Sequence, residues 1–251
     1  MAELFLIGMG TGNPEHLTLE AVRYLNQADL ILIPVKGEDK SRLAEIRRQI
    51  CFELVDNADS KIVEIDLPVR DKNIPDYKER VDKWHDEIAD IWLNAISRKP
   101  DAEKIALLVW GDPSLYDSTI RIAERARAKL DLNIHVIAGI TSIQALTAAH
   151  KITLNEVAEP FIVTTGRQLR DTGWSDQINT VIVMLDGDCS FEGLLGEELH
   201  IWWGAYLGMK EEIIINGPLD EVCKNIKDQR ENARSRYGWI MDTYMLRKTS
   251  I

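Results

Sequence analysis

The chain has 251 residues, 45% of them hydrophobic and 28% charged, a composition that excludes disordered and fibrous classes and suffices for one large core or two compact domains. Thirty Lys and Arg against 41 Asp and Glu give a net charge of −11, a field that repels nucleic acid and anionic lipid but leaves room for a small anion in a locally basic pocket. Cys51, Cys189 and Cys223 form no CxxC pair and read as reduced core thiols, not a disulfide framework or thiolate metal site.

Leu4 to Ile7 is a short apolar run ending in Gly8-Met9-Gly10-Thr11-Gly12-Asn13-Pro14, after which Leu19, Val22 and Leu25 recur with helical spacing: strand, loop, helix. A second buried strand is expected at Leu30 to Val35. Ser41 is placed to cap a helix reaching about Val55, and the alternating stretch Lys61 to Ile65 reads as a third strand. Asp76 with Glu79 makes a capping-box-like start for a long amphipathic helix through Val81, Trp84, Ile88, Ile91 and Ala95. Ile105 to Val109 is a strand running into Trp110-Gly111-Asp112-Pro113-Ser114-Leu115-Tyr116, with a helix through Ile120, Ala123 and Ala126 behind it. Ile134 to Ile137 runs into Ala138-Gly139-Ile140-Thr141-Ser142 and an alanine-rich helix.

Three apolar strands therefore end in three unusual loops. In open parallel sheets ligands sit beyond the carboxyl ends of the strands, where the topology switches, so these loops are the expected crevice. After His150 the pattern changes to strands at Phe161 to Thr165, Thr180 to Leu185, His200 to Leu207, Glu212 to Ile215 and Trp239 to Leu246, with two helical patterns between them. The expected organisation is two α/β domains, residues 1–154 with a mostly parallel sheet and residues 155–251 with a mixed one. The longest apolar runs fall short of the ~18 residues of a membrane span and no basic-then-apolar leader opens the chain, so the expected location is the cytoplasm.

Gly8-x-Gly10-x-Gly12 invites a dinucleotide reading, but the third glycine of GxGxxG would fall at position 13, which is Asn13 followed by Pro14, and no acidic residue ends a second strand about 20 residues on. Nicotinamide binding is disfavoured on that spacing, and without a following GKS or GKT there is no Walker loop. His16, His85, His135, His150 and His200 show no metal-ligand spacing and read as structural or solvated; no metal is expected.

Taken together, LIGMGTGNPEHLTLEAVRYLNQADLIL, WGDPSLYDS and VIAGITSIQALTAAH, followed by TTGR at 164–167, VIVMLDG at 181–187 and GAYLGMKEE at 204–212, resemble the tetrapyrrole methylase family of S-adenosylmethionine-dependent enzymes over nearly the whole chain. The resemblance implies two α/β domains with S-adenosyl-L-methionine as co-substrate in the cleft between them. It implies Thr11, Gly111, Asp112, Leu115, Thr141 and Ser142 lining the cofactor site, with Leu185 and Ala205 closing it, and a homodimer. WGDPSLYDSTIRI, IWWGAYLG and GWIMDTYMLRK narrow it toward members that act in cobalamin biosynthesis, methylating precorrin-5 at carbon 1 and releasing an acetyl group as acetate. Asp112 is expected to hold the cofactor's ammonium, or, in the alternative, to shape the turn before Pro113.

One departure counts against a carboxylate base: family members that methylate uroporphyrinogen often carry GPGD where this chain has Gly10-Thr11-Gly12-Asn13, and an amide cannot take a proton. Tyr116 and Asp117 are the candidates for orienting the water that deacetylation consumes. For the substrate's carboxylates, Lys36, Arg42 and Arg167 are the candidate cations. Other classes stay open at this point: another precorrin or tetrapyrrole methylase, a methyltransferase acting on a protein side chain, and a non-catalytic adenine-nucleotide-binding domain on the same scaffold.

Overall fold

A computed structural model of the chain describes residues 1–35, 41–174 and 177–249. These fall into two compact units, Met1–Thr141 and Ser142–Ile251.

The first unit runs β1 (Ala2–Gly8), α1 (Leu19–Gln27), β2 (Leu30–Val35), α2 (Ser41–Leu54), β3 (Lys61–Asp66), α3 (Tyr77–Ser97), β4 (Lys104–Val109), α4 (Thr119–Arg127) and β5 (Leu132–Ile137). Its five strands lie in the order β3-β2-β4-β1-β5, and every pair is parallel. Helices on both faces explain why β1, β2 and β4 read as unbroken apolar runs. Leu4, Leu6, Leu30, Leu32 and Leu107 form one core with Ile88, Trp92 and Ile122, while Phe5, Ile7, Ile31 and Ile33 are sealed on the other side. Each of these large side chains contributes about 1.5–3 kcal/mol on burial. α3 begins as its sequence says, Asp76 accepting a hydrogen bond from the Glu79 amide at 2.7 Å, the N-cap geometry that satisfies an orphan donor. Because β4 returns between β2 and β1, the connections leaving β1 and β4 diverge, and that divergence is the topological switch.

The second unit comprises α5 (Ser142–His150), β6 (Phe161–Thr165), α6 (Gly166–Thr172), β7 (Thr180–Met184), β8 (Leu199–Ala205), β9 (Ile213–Pro218), α7 (Leu219–Tyr237) and β10 (Asp242–Lys248). The order is β6-β7-β10-β8-β9, with β6 and β7 parallel and the other pairs antiparallel. Trp203, Tyr244, Phe191 and Ile226 anchor its core. The sequence puts the junction near 155, where strand character changes. The units instead part at 141–142, because α5 packs on β8, β9 and β10 and the Thr243 hydroxyl, on β10, meets the Ser142 hydroxyl at 2.9 Å.

Candidate functional site

In the first unit three loops meet at the carboxyl ends of β1, β4 and β5, and glycine makes the meeting possible. Gly10 and Gly111 exchange backbone hydrogen bonds of 3.2 and 2.8 Å, joining the first loop to the second. Gly111 has φ +63°, and at Gly139 an added Cβ would stand 2.1 Å from the Gly111 carbonyl oxygen and 2.8 Å from the Gly8 Cα, so no side chain fits there. Asp112 completes the tie: its Oδ2 accepts from the Gly139 amide at 2.8 Å and its Oδ1 from the Ser114 amide at 2.8 Å and the Ser114 hydroxyl. Burial acts to raise its pKa, but the bonds from Ser114 and Gly139 outweigh it and hold the carboxyl below its ordinary value. Three of the roughly four acceptor positions of that carboxylate are thus occupied by its own loops, the turn role that was the alternative to ammonium binding.

Thr11 is buried, and its hydroxyl is 2.8 Å from His16 Nδ1. Asn13 caps the short 3-10 turn Pro14–His16 through the Glu15 amide. That turn, and the Thr18 cap of α1, separate the glycine loop from the helix N-terminus, so the close loop-to-helix approach that a dinucleotide fingerprint needs is missing. Thr141 lies beside Gly111, and Leu115 stands half-buried in the second loop. Next to it Tyr116 takes a left-handed φ of 50° and is 45% exposed. Such strain in a non-glycine residue costs about 1–3 kcal/mol and concentrates at functional loops. The Asp117 carboxylate accepts from the Thr119 amide at 2.6 Å.

In the second unit Ser142, Leu185 and Ala205 converge through one residue. Thr243 pairs with Met184 and Gly204, the chain neighbours of Leu185 and Ala205, and bonds to Ser142. Leu185 has φ 54° and is 66% exposed, an apolar side chain displayed in a strained turn. Beneath it the loop is pinned by buried Asp186, which accepts from the Ser190 amide at 2.6 Å, the Ser190 hydroxyl at 2.9 Å and the Tyr244 hydroxyl at 2.7 Å. Arg230 donates to the Asp186 and Gly187 carbonyls and pairs with Asp242 at 2.9 Å. Burial drives the Tyr244 phenol well above its ordinary pKa, with Asp186 adding to the effect. VIVMLDG and GWIMDTYMLRK, quoted above for their resemblance, hold Asp186, Asp242 and Tyr244, but nothing in the sequence joined them into this network, whose members are scattered over some sixty positions.

Of the candidate cations, Lys36 lies outside the described residues. Arg42 stands in the first turn of α2 and Arg167 is exposed in the first turn of α6. Trp203 is fully buried, its indole donating to Asp242 at 3.0 Å, so of the two adjacent tryptophans only half-buried Trp202 is surface-accessible. Among the described residues no three of His, Cys, Asp and Glu gather as a metal-binding set, and no helix is long and apolar enough to cross a membrane.

Sequence reasoning also missed Arg47. It projects from α2 between Leu43 and Ile50, donating to the Leu108 carbonyl at 2.9 Å and the Leu43 carbonyl at 3.2 Å. Burial pulls its guanidinium down to about 10, with Asp117 and Cys51 opposing. The available signal was a charge on the apolar face of α2, with Leu43 four residues before it and Cys51 four after.

A fold of two α/β units with glycine-tied loops at the strand ends and no dinucleotide fingerprint belongs to a narrow class, and comparison with known proteins identifies it. Residues 3–223 match the family model for tetrapyrrole (corrin/porphyrin) methylases. The chain is 47% identical over 251 residues to the precorrin-6A synthase [deacetylating] of a Sinorhizobium species, covering 99% of this chain and 96% of that one. It superposes on a cobalamin synthesis related protein of Corynebacterium diphtheriae with a TM-score of 0.85, 36% identity and full coverage of both chains. A Thermus thermophilus uroporphyrin-III C-methyltransferase, solved with S-adenyl homocysteine, shares the fold at a TM-score of 0.58 and 16% identity, over 98% of this chain and 97% of that one. The chain belongs to the tetrapyrrole methylase family.

Proposed function

We propose that this protein transfers a methyl group from S-adenosylmethionine to carbon 1 of precorrin-5 and releases the acetyl group of the macrocycle as acetate, giving precorrin-6A in cobalamin biosynthesis. The observation that carries the reading is near-full-length identity of 47% to a precorrin-6A synthase of the deacetylating type. It acts in the cytoplasm as a homodimer, without a metal.

In this reading the backbone of Thr11 and Gly111, together with Leu115, Thr141 and Ser142, cradles the co-substrate, and Leu185 and Ala205 contribute apolar contact. Asp112 sets the shape of the second and third loops, and its remaining acceptor position is left for the ammonium. Arg42, Arg167 and Lys36 supply charge for the carboxylates of the macrocycle, Arg through its planar two-oxygen fork. With Asn13 in place of an acid the glycine loop offers no carboxylate base, and methyl transfer rests on alignment of the sulfonium with a ring carbon activated by its own nitrogen. Alignment alone lowers such barriers by up to about 7–11 kcal/mol. Calorimetry tests the cofactor assignment: S-adenosylhomocysteine binds in a one-to-one ratio and NAD gives no heat, whereas NAD binding without a response to S-adenosylhomocysteine contradicts it.

A further inference from the structure

Just past the second loop, α2, α3, α4 and the ends of β2 and β4 line a partly open cavity of about 150 Å³ that the cofactor-binding residues do not line. That is the size of a void that admits a benzene ring, enough for a two-carbon acyl group and a water. Its wall is apolar on the side of Ile88, Leu107 and Ile122, and its polar lining includes Arg47, Trp92 and Asp117, with Ser118 and Thr119 beside them. Trp92 is only 3% exposed, and its indole N–H has no hydrogen-bond partner among the described residues. Buried donors are rarely left unpaired, and one that is calls for an acceptor the protein does not itself supply. Arg47 commits Nε and Nη1 to backbone carbonyls and makes neither an ion pair nor an Nη2 hydrogen bond among the described residues. Arg47 and Trp92 therefore bring uncommitted donors to the lining, alongside the Asp117 carboxylate, the Ser118 and Thr119 hydroxyls and an apolar wall.

We propose that this cavity is the acetyl subsite: the acyl oxygen takes hydrogen bonds from Arg47 and Trp92, the methyl packs on the apolar wall, and Asp117 accepts a proton from the attacking water. The inference rests on the deacetylating reading above. The water oxygen bonds to the acyl carbon while Asp117 takes one of its protons, and Arg47 and Trp92 face the negative charge that develops on the acyl oxygen. The bond between acyl carbon and macrocycle then breaks, its electron pair staying with the macrocycle, and acetic acid leaves and ionises. That electron pair forms the bond to the methyl of S-adenosylmethionine, whose sulfur keeps the pair of the broken S–C bond. One acetate, one S-adenosylhomocysteine and two protons result.

Single turnover of precorrin-5 by the full chain tests it. Arg47→Met is expected to slow acetate release by about a hundredfold or more, the usual effect of deleting an oxyanion donor, with S-adenosylhomocysteine affinity unchanged. Trp92→Phe keeps an aromatic ring but loses the N–H together with the five-membered part of the indole, so a lower melting temperature is expected; measured at a temperature where the variant is still folded, acetate release should fall with S-adenosylhomocysteine affinity unchanged, which decides the matter even if Arg47→Met folds poorly. Saturation-transfer NMR with millimolar acetate should show transfer to its methyl group in the wild type and none in Trp92→Phe. Acetate release at the wild-type rate in both variants, or loss of release only in step with S-adenosylhomocysteine affinity, overturns the subsite and leaves the proposed function standing. Wild-type protein that methylates precorrin-5 without releasing acetate overturns both.

Discussion

An alanine at Gly139 would place its Cβ within 2.1 Å of the Gly111 carbonyl oxygen, closer than any packed carbon tolerates, so the third loop must move away from the second. That separation breaks the Asp112–Gly139 hydrogen bond and spreads the crevice. Overpacking of this kind costs about 1–3 kcal/mol or more. Gly139→Ala is expected to lower the denaturant midpoint by an amount in that range and to weaken S-adenosylhomocysteine binding in calorimetry; unchanged affinity would remove the three-loop contact from the site. The motif GITS was visible in the sequence, but the reason for its glycine was not, since it lies in the approach of two loops nearly thirty residues apart. Asp112 shows the same limit: its residue type suits ammonium binding and loop tying equally, and only the positions of Ser114 and Gly139 reveal how far the second role is filled.

At the level of elements the periodicity of the chain was informative, because apolar spacing follows burial directly. β2 and β6 fall on the expected residues, and α3 starts at the expected cap. Two of the errors in the second unit share a cause. β7 stops before Leu185 and β8 before Tyr206, since both residues take left-handed φ, 54° and 51°, which apolar character does not announce. β10 begins at Asp242 and not at Trp239 because Trp239 and Met241 give their carbonyls to Tyr206, through its hydroxyl and its amide. The buried Asp186 cluster stabilises this strained display of Leu185. Asp186→Asn would set an amide NH2 against donors from Ser190 and Tyr244, and unsatisfied buried groups cost about 1–3 kcal/mol each. The variant is expected to unfold at lower denaturant and to lose cofactor affinity through Leu185; full affinity with lost stability would confine Asp186 to a structural role.

For the whole molecule, three histidines are expected to make stability fall first as the pH drops below neutrality. His85 is 3% exposed, with neither ring nitrogen partnered among the described residues, and burial first, then Arg125, lowers its pKa. Burial also lowers His150 and His200. Their unfolded values lie near 6.5, so below that pH the unfolded chain binds more protons than the folded one. The stability they contribute is present above about 6.5 and is lost as pH falls through the folded values. Urea midpoints should therefore decline between about pH 6.5 and 5, before most carboxylates titrate, and His85→Leu should flatten the slope; midpoints that rise toward pH 5 would contradict this.

The central claim is that one protein couples methyl addition to deacetylation, and the stoichiometry of a single incubation tests it. Purified protein with precorrin-5 and S-adenosylmethionine, followed by macrocycle mass and acetate assay, should give one acetate for every methyl added and a product that has gained a methyl and lost the acetyl group. Methyl gain with the acetyl retained and no acetate would contradict the account.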